Sequence, residues 1–166
     1  MRHWIAGACA AAVLACSAFG QQAGPRKEPP EITRGTHSLV PSTDADLNLL
    51  LEGNIRAMWI AFRDKKKDVY AGYLWDDYQA VEEDGAGERN KLHVLREVGE
   101  SVVRDSEPQW FVVEKLGPEA MLVTYENVIQ FARSASTRFE KIFISEIWMK
   151  RNGQWKAWRY QATRVR

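Results

Sequence analysis

The chain has 166 residues and a formal net charge of +1, which suits one domain and hardly two. With 45% hydrophobic and 27% charged residues, the composition is globular and excludes a wholly disordered or fibrous chain. The near-neutral charge disfavours nucleic acid or an anionic membrane surface as the main partner, because both bind a basic face.

The first 20 residues have the features of a secretory signal peptide. A short basic start precedes an almost wholly apolar run over residues 4–14, and Ala18-Phe19-Gly20 offers the small residues that a signal peptidase reads. The apolar run is shorter than the roughly 20 residues that span a bilayer. We therefore expect cleavage before Gln21 and export of the protein to the periplasm or the medium.

Val13-Leu14-Ala15-Cys16 supports an alternative, because it resembles a bacterial lipobox. Lipidation of Cys16 would make the protein a lipoprotein, and without it we expect no membrane association. Cys9 is the only other cysteine, so cleavage after Gly20 leaves a chain without disulfides or thiolate metal sites.

Residues 21–42 predict a flexible linker, since they are rich in proline and lack apolar periodicity. The folded domain is expected over residues 43–166. His37 and His93 are the only histidines after residue 20, so we expect no metal site. Without a phosphate-binding loop or nucleotide fingerprint, we expect no cofactor.

The first half of the domain predicts three helices and one strand. Thr43 and Asp46 have the spacing of a capping box, and an apolar stripe follows at steps of three and four: Leu47, Leu50, Leu51, Ile55, Met58, Trp59 and Phe62. Asp68 is predicted to cap a short helix over residues 69–74, ahead of a strand over residues 75–81. Asn90 is predicted to cap a third helix with the stripe Leu92, Leu95, Val98 and Val102.

The second half predicts a sheet, because the apolar period switches from helical to alternating after Pro108. Strands are expected over residues 110–116, 121–131, 139–150 and 155–165, with a loop at 134–136 and a hairpin turn at Asn152-Gly153. Helices followed by an antiparallel meander give an α+β fold.

The strand over residues 139–150 is apolar on both faces. Ile142, Ile144 and Trp148 share one face, and the other carries Phe139, Phe143, Ile147 and Met149. A sheet with one solvated face would be polar there. We therefore expect a homodimer that covers the outer face.

Several segments resemble the nuclear transport factor 2-like (NTF2-like) superfamily, and within it the SnoaL-like group known as domain of unknown function 4440. The resemblance rests on the C-terminal hairpin at residues 145–156, on Gln161-Ala162-Thr163, on Trp59-Ile60-Ala61-Phe62, and on Asp76-Asp77-Tyr78. It covers about residues 46–166. It implies a cone in which a strongly curved antiparallel sheet wraps around the first helix, often as a homodimer, with a pocket at the open end.

The aromatic residues of this cone are candidates for an apolar pocket with a few polar tips. The candidate ligand-binding residues are Trp59, Tyr78, Tyr125, Glu146, Trp148, Trp158, Tyr160 and Gln161. For any single ring, a place in the core or in the dimer interface is the more common role. The alternation of residues does not determine which side chains of the last strand face the pocket. A two-residue turn puts Gln161 on the face of Trp148, whereas a three-residue loop with a bulge puts Trp158 and Tyr160 there.

Two carboxylates are candidates for chemistry. Glu82 aligns with the proton-shuttling Asp of ketosteroid isomerase, a member of the same superfamily, although Glu82-Glu83-Asp84 also reads as a solvated turn. Glu146 is expected to face the interior beside Trp148 and to need a partner, for which Arg133, Arg138 and Arg159 are candidates.

Three functions remain open. The first is an exported domain that binds a small apolar molecule in its cone. The second is an isomerase, dehydratase or cyclase that uses a pocket carboxylate. The third is a non-catalytic dimeric interaction module whose cone is filled by its own side chains.

Overall fold

The computed structural model of the chain describes residues 43–131 and 138–165. The predicted signal peptide, the predicted linker and the predicted loop at residues 134–136 lie outside these residues. Within the described ranges, no helix has the length and apolarity that crossing a membrane requires.

Three helices form, and two of them begin as the sequence predicts. Helix α1 spans Asp44–Arg63 and starts at a complete capping box between Thr43 and Asp46. Helix α2 spans Lys67–Gly72, and helix α3 spans Lys91–Glu100, where the Asn90 side chain accepts a hydrogen bond from the backbone of His93. The capping predictions at Thr43 and Asn90 are confirmed, because both side chains satisfy backbone N–H groups that the first helical turn leaves free.

Two helix predictions are wrong in detail. Helix α2 begins before Asp68 and has no side-chain cap, and Leu74 belongs to the next strand. In α3 the predicted stripe is confirmed at Val98, which is buried, and at Leu95, which is partly buried against the core. It is wrong at Leu92, which is 78% exposed, and the buried residue there is Val94. Since a helix turns about 100° per residue, Leu92 and Val94 point to opposite sides, and packing selects the side of Val94.

Six strands form one mixed sheet in the order β2-β1-β6-β5-β4-β3. Their bounds are Leu74–Val81 for β1, Glu88–Asn90 for β2, Val103–Gly117 for β3, Ala120–Phe131 for β4, Arg138–Arg151 for β5 and Gln154–Arg164 for β6. Strands β3 to β6 form the expected antiparallel meander. Strand β1 joins β6 in parallel, so the sheet is not purely antiparallel. The α+β fold with a curved, unclosed sheet is confirmed.

Strands β2 and β3 differ from the sequence prediction. Strand β2 was not predicted, because three residues carry no alternation. Strand β3 begins at Val103 rather than near residue 110 and runs through Pro108, which pairs with Asn127. A proline is tolerated there because β3 is an edge strand of the sheet, where one side of the backbone needs no partner.

The last hairpin combines features of both predicted alternatives. It has the two-residue turn, with Asn152 and Gly153 at positive φ, and Arg151 pairs with Gln154. A register shift then leaves Trp158 between the partners of Trp148 and Ile147. This bulge returns the later residues to the inner face, so Tyr160 lies opposite Glu146 and Gln161 points outward.

The core lies between the helices and the inner face of the sheet. On β5, Ile142, Ile144, Glu146 and Trp148 are buried, whereas Phe139 is 63% and Phe143 is 42% exposed on the other face. This strand therefore has the two faces that its sequence predicts.

Candidate ligand-binding cavity

A cavity of about 230 Å³ lies beside the C-terminal half of α1. The three helices, strands β2 to β6 and the segment directly after β1 contribute to its wall, which is mainly apolar and carries several acidic groups. The lining residues are Met58, Trp59, Phe62, Tyr70, Glu82, Glu83, Asp84, Arg89, Glu97, Val103, Ile129, Phe131, Ile142, Glu146 and Tyr160. The volume is below the roughly 300–1,000 Å³ of pockets for drug-sized ligands, so the cavity suits a smaller molecule.

Glu146 is the buried acid of this cavity, with 2% of its surface exposed. Its Oε1 accepts a hydrogen bond of 2.7 Å from the Tyr125 hydroxyl, and its Oε2 accepts one of 2.7 Å from Trp148 Nε1. Among the described residues, no cation lies within ion-pair distance of this carboxylate. It is therefore held in place by two neutral donors, one on each oxygen.

Trp59 extends this network from the helix. Its Nε1 donates to the Tyr125 hydroxyl oxygen at 3.0 Å, and Phe111 stacks on the Tyr125 ring with centroids 5.0 Å apart. Three separate elements, α1, β4 and β5, therefore fix one carboxylate. Trp59 lines the cavity and also bonds Tyr125, so it connects the cavity wall to the hydrogen-bond network of Glu146.

Burial controls the protonation of this network. Loss of hydration raises the pKa of Glu146 from 4.5 to about 7, although the hydrogen bonds from Tyr125 and Trp148 act in the opposite direction. Burial, and then the nearby Glu146, raise the pKa of Tyr125 well above its usual value. Tyr125 therefore stays a proton donor while Glu146 can change its charge near neutral pH.

Glu82 is a second acid in the wall of the cavity, directly after β1. Burial, and then the charge of Glu83, raise its pKa from 4.5 to about 7. The turn that the sequence predicts forms at Glu83-Asp84, but the Glu82 side chain is half-buried and lines the cavity. Two carboxyl groups with a raised pKa thus share one cavity, which is a common property of functional sites.

Arg89 lies beside Glu82 and is 7% exposed. Its Nε donates to Glu97 at 2.7 Å, and its Nη2 pairs with Asp84. Two carboxylates therefore already compensate this guanidinium, while Nη1 has no hydrogen-bond partner among the described residues. Arg89 also lowers the pKa of Glu82, but by less than burial and Glu83 raise it.

Of the eight predicted ligand-binding residues, three line this cavity and two more bond to one of its lining residues. Trp59, Glu146 and Tyr160 line it, and Tyr125 and Trp148 bond directly to Glu146. Tyr78 is also on the inner side but is 2% exposed and lies within the core, outside the lining.

Trp158 and Gln161 lie elsewhere. Trp158 Nε1 donates to the Asp77 carboxylate at 3.0 Å, and the Arg159 guanidinium stacks on its ring at 3.8 Å. Arg151 makes a bidentate ion pair with the same Asp77 carboxylate. Gln161 is part of a separate groove with Ile147 and Ser145. The bulge at Trp158 explains both positions.

The predicted cationic partners of Glu146 are engaged elsewhere or lie outside the described residues. Arg138 pairs with Glu140, Arg159 donates to the Asp77 carbonyl oxygen, and Arg133 is not among the described residues. Three further lining residues, Tyr70, Arg89 and Glu97, reach the cavity from α2, β2 and α3 and are not predicted by the sequence. The nearest sequence signal is the acidic run Glu82-Glu83-Asp84, which the sequence alone also allows as a solvated turn.

In residues 43–131 and 138–165, no group of three or more His, Cys, Asp or Glu side chains is arranged to hold a metal ion.

Comparison by sequence gives no match to a family model or to a curated protein. Comparison by structure gives many matches. An NTF2-like protein from Cytophaga hutchinsonii is 14% identical, with a TM-score of 0.63 over 74% of this chain and 99% of that one. A ketosteroid isomerase-like protein from Erwinia carotovora atroseptica is 13% identical, with a TM-score of 0.62 over 72% and 96%. The association domain of C. elegans CaMKII is 16% identical, with a TM-score of 0.59 over 71% and 98%.

The chain therefore has the NTF2-like fold. This agrees with the resemblance seen in the sequence, while its SnoaL-like assignment stays a prediction. Identities this low define the fold alone, and proteins of one fold differ widely in function.

Proposed function

We propose that this domain binds a small, mostly apolar molecule in the cavity, with Glu146 holding its polar group. The observation that carries the proposal is a buried carboxylate, fixed by Tyr125 and Trp148, in the wall of an otherwise mainly apolar cavity of about 230 Å³. Concave apolar sites with a few convergent polar groups are typical of ligand binding.

A cavity-filling variant tests this proposal. Val103 is buried in the cavity wall, whereas Val112 lies on the same strand and is 51% exposed. Val103→Phe is expected to fold and to abolish binding of small aromatic compounds, because the added ring occupies the space of a ligand. Val112→Phe makes the same change away from the cavity and is expected to bind normally.

Isothermal titration calorimetry with acetophenone, phenol and phenyltrimethylammonium provides the readout. Binding of at least one compound to wild-type protein, lost in Val103→Phe and kept in Val112→Phe, supports the proposal. Failure of all three compounds to bind the folded wild-type protein contradicts it and favours the interaction module.

Proton-transfer catalysis is a second candidate. Glu82 and Glu146 both have a pKa of about 7, which allows a carboxyl group to take up and release a proton near neutral pH. One solved structure of this fold carries the name ketosteroid isomerase-like protein. Exchange of deuterium into the methyl group of acetophenone in heavy water would reveal such activity. It should fall in Glu82→Gln or Glu146→Gln and persist in the exposed variant Glu100→Gln.

Self-association is the third part of the proposal. Phe139 and Phe143 leave apolar surface on the outer face of the sheet, and one structure of this fold is named an association domain. A homodimer that buries this face would remove that surface from water. Export of the domain through residues 1–20, with or without lipidation of Cys16, completes the proposal.

A further inference from the structure

Acidic side chains outnumber basic ones in the cavity wall. Five acidic side chains line it, Glu82, Glu83, Asp84, Glu97 and Glu146, and the lining cation among the described residues is Arg89. Arg89 is shared between Asp84 and Glu97, and Arg164 lies 3.6 Å from Glu83. Glu82 and Glu146 make no ion pair with any described residue, so two acids in the wall lack a counter-ion.

Aromatic rings surround these two acids. Trp59, Phe62, Tyr70, Phe131 and Tyr160 all line the cavity. Trp59 and Phe62 have ring centroids 5.6 Å apart, and Phe62 meets Tyr70 edge-on at 5.9 Å. The faces of such rings carry negative potential and attract cations, most strongly where water is excluded.

The two observations select the same kind of ligand. A neutral ligand would use the aromatic rings as apolar surface but would leave Glu82 and Glu146 without a counter-ion whenever they ionise. A cation with an apolar shell would satisfy both the rings and the carboxylates. A metal ion would not use the rings.

We infer that the cavity selects a small organic cation, a protonated or quaternary amine on an apolar framework, which lies among Trp59, Phe62 and Tyr160 with Glu146 as its counter-ion. Glu82 faces the same cavity and adds to the attraction. This inference rests on the proposed ligand-binding function and names the class of its ligand.

The rival ligand is a neutral carbonyl compound that accepts a hydrogen bond from protonated Glu146. The two ligands respond oppositely to pH, because a cation needs the carboxylate and a carbonyl needs the carboxylic acid. Titratable and charged groups face Glu146 and the cavity from most of the packed elements. They are Tyr70 from α2, Tyr78 from β1, Glu82, Glu83 and Asp84 after β1, Arg89 from β2, Glu97 from α3, Tyr125 from β4 and Tyr160 from β6, whereas the lining residues of α1 and β3 are apolar or aromatic. Of these groups, Glu82 also has a pKa of about 7, so it gains a negative charge over the same pH range as Glu146.

The test compares phenyltrimethylammonium with its uncharged isostere tert-butylbenzene, by calorimetry at pH 6 and pH 8. The cation keeps its charge at both pH values, so only the protein titrates. If the ionised form of Glu146 is the one that binds, a pKa of about 7 implies an affinity about tenfold higher at pH 8 than at pH 6. The isostere is expected to bind more weakly than the cation at pH 8 and without this increase.

Two variants assign the effect. Glu146→Gln should weaken binding of the cation at pH 8 and remove most of its pH dependence, while leaving tert-butylbenzene binding unchanged or tighter. Glu100→Gln removes an exposed acid of α3 and should behave like wild-type protein.

The outcomes separate this inference from the proposed function. If tert-butylbenzene or acetophenone binds in a Val103→Phe-sensitive manner, and the cation binds no better at pH 8, the inference is wrong and the proposed function stands. If neither the cation nor the neutral compounds bind, both are wrong. Cation binding that persists unchanged in Glu146→Gln also overturns the inference.

Discussion

Replacing Glu146 by glutamine should change the pH dependence of folding stability. The substitution keeps the size of the side chain but removes its charge. In the wild-type protein, burial raises the pKa of Glu146 from 4.5 to about 7. Below the unfolded value the group is protonated in both states, so stability is unaffected. Stability is then lost as the pH rises toward the folded value, because the unfolded chain releases a proton that the folded chain retains.

The magnitude follows from the two pKa values. Above pH 7 the folded protein carries the full cost of a buried charge, which is about 3 kcal/mol for this change in pKa. Between pH 5 and pH 8, the linkage relation gives a loss of about 2.5 kcal/mol for this group. Glutamine does not titrate, so the variant should gain about 2.5 kcal/mol on the wild-type protein over this interval. Any constant change in hydrogen bonding to Tyr125 and Trp148 cancels when the two pH values are compared.

Urea unfolding at pH 5, 6, 7 and 8 and at one protein concentration measures this difference. Glu82→Gln should give the same sign, since burial also raises the pKa of Glu82 to about 7. Glu100→Gln controls for the loss of one negative charge at the surface. A difference between wild-type and Glu146→Gln that stays flat to within about 0.5 kcal/mol from pH 5 to pH 8 would refute the account of Glu146 as a buried acid.

Three further predictions concern other parts of the chain. Phe143→Glu should give a folded monomer in sedimentation, because Phe143 is exposed on the outer face of the sheet. Ile144→Glu should unfold the domain, because Ile144 is fully buried. A wild-type protein that is monomeric at high concentration would argue against the dimer. Asn127 is buried with both amide atoms unpartnered among the described residues, so Asn127→Leu should raise stability in urea unfolding by about 1–3 kcal/mol, and a loss would show that the amide has a partner. N-terminal sequencing of the exported protein should begin at Gln21, whereas a lipid-modified Cys16 would indicate a lipoprotein.

The sequence predicts regular elements well where one face is buried throughout. The stripe of α1 and the alternation of β4 and β5 repeat over many residues, so one period dominates each window. Helix α3 is short, and two apolar faces compete in it; contact with the rest of the protein selects Val94 and Val98. Helix propensity does not determine which face is buried, because the buried face depends on the element that the helix packs against.

The sequence predicts the kind of site, an aromatic cavity with a buried acid, but not all of the residues that form it. Inward alternation placed Glu146 beside Trp148, and the helix stripe placed Trp59 nearby. Sorting Tyr160 from Trp158 and Gln161 required the bulge in β6, which a single residue creates without any compositional signal. Arg89 and Glu97 are distant from Glu146 in the chain, and only the return of β2 and α3 brings them to the same cavity.

The central claim is that a small molecule occupies the cavity beside Trp59 and Glu146. Nuclear magnetic resonance of the tryptophan indole N–H groups tests it directly, because Trp59 and Trp148 Nε1 belong to the Glu146 network, whereas Trp75 and Trp158 Nε1 bond to Met149 and Asp77 away from the cavity. Titration with phenyltrimethylammonium and with acetophenone should shift the Trp59 and Trp148 signals to saturation with at least one compound, and leave those of Trp75 and Trp158 unchanged. Signals from Trp59 and Trp148 that do not move at high concentrations of either compound, in a folded protein, would contradict the account.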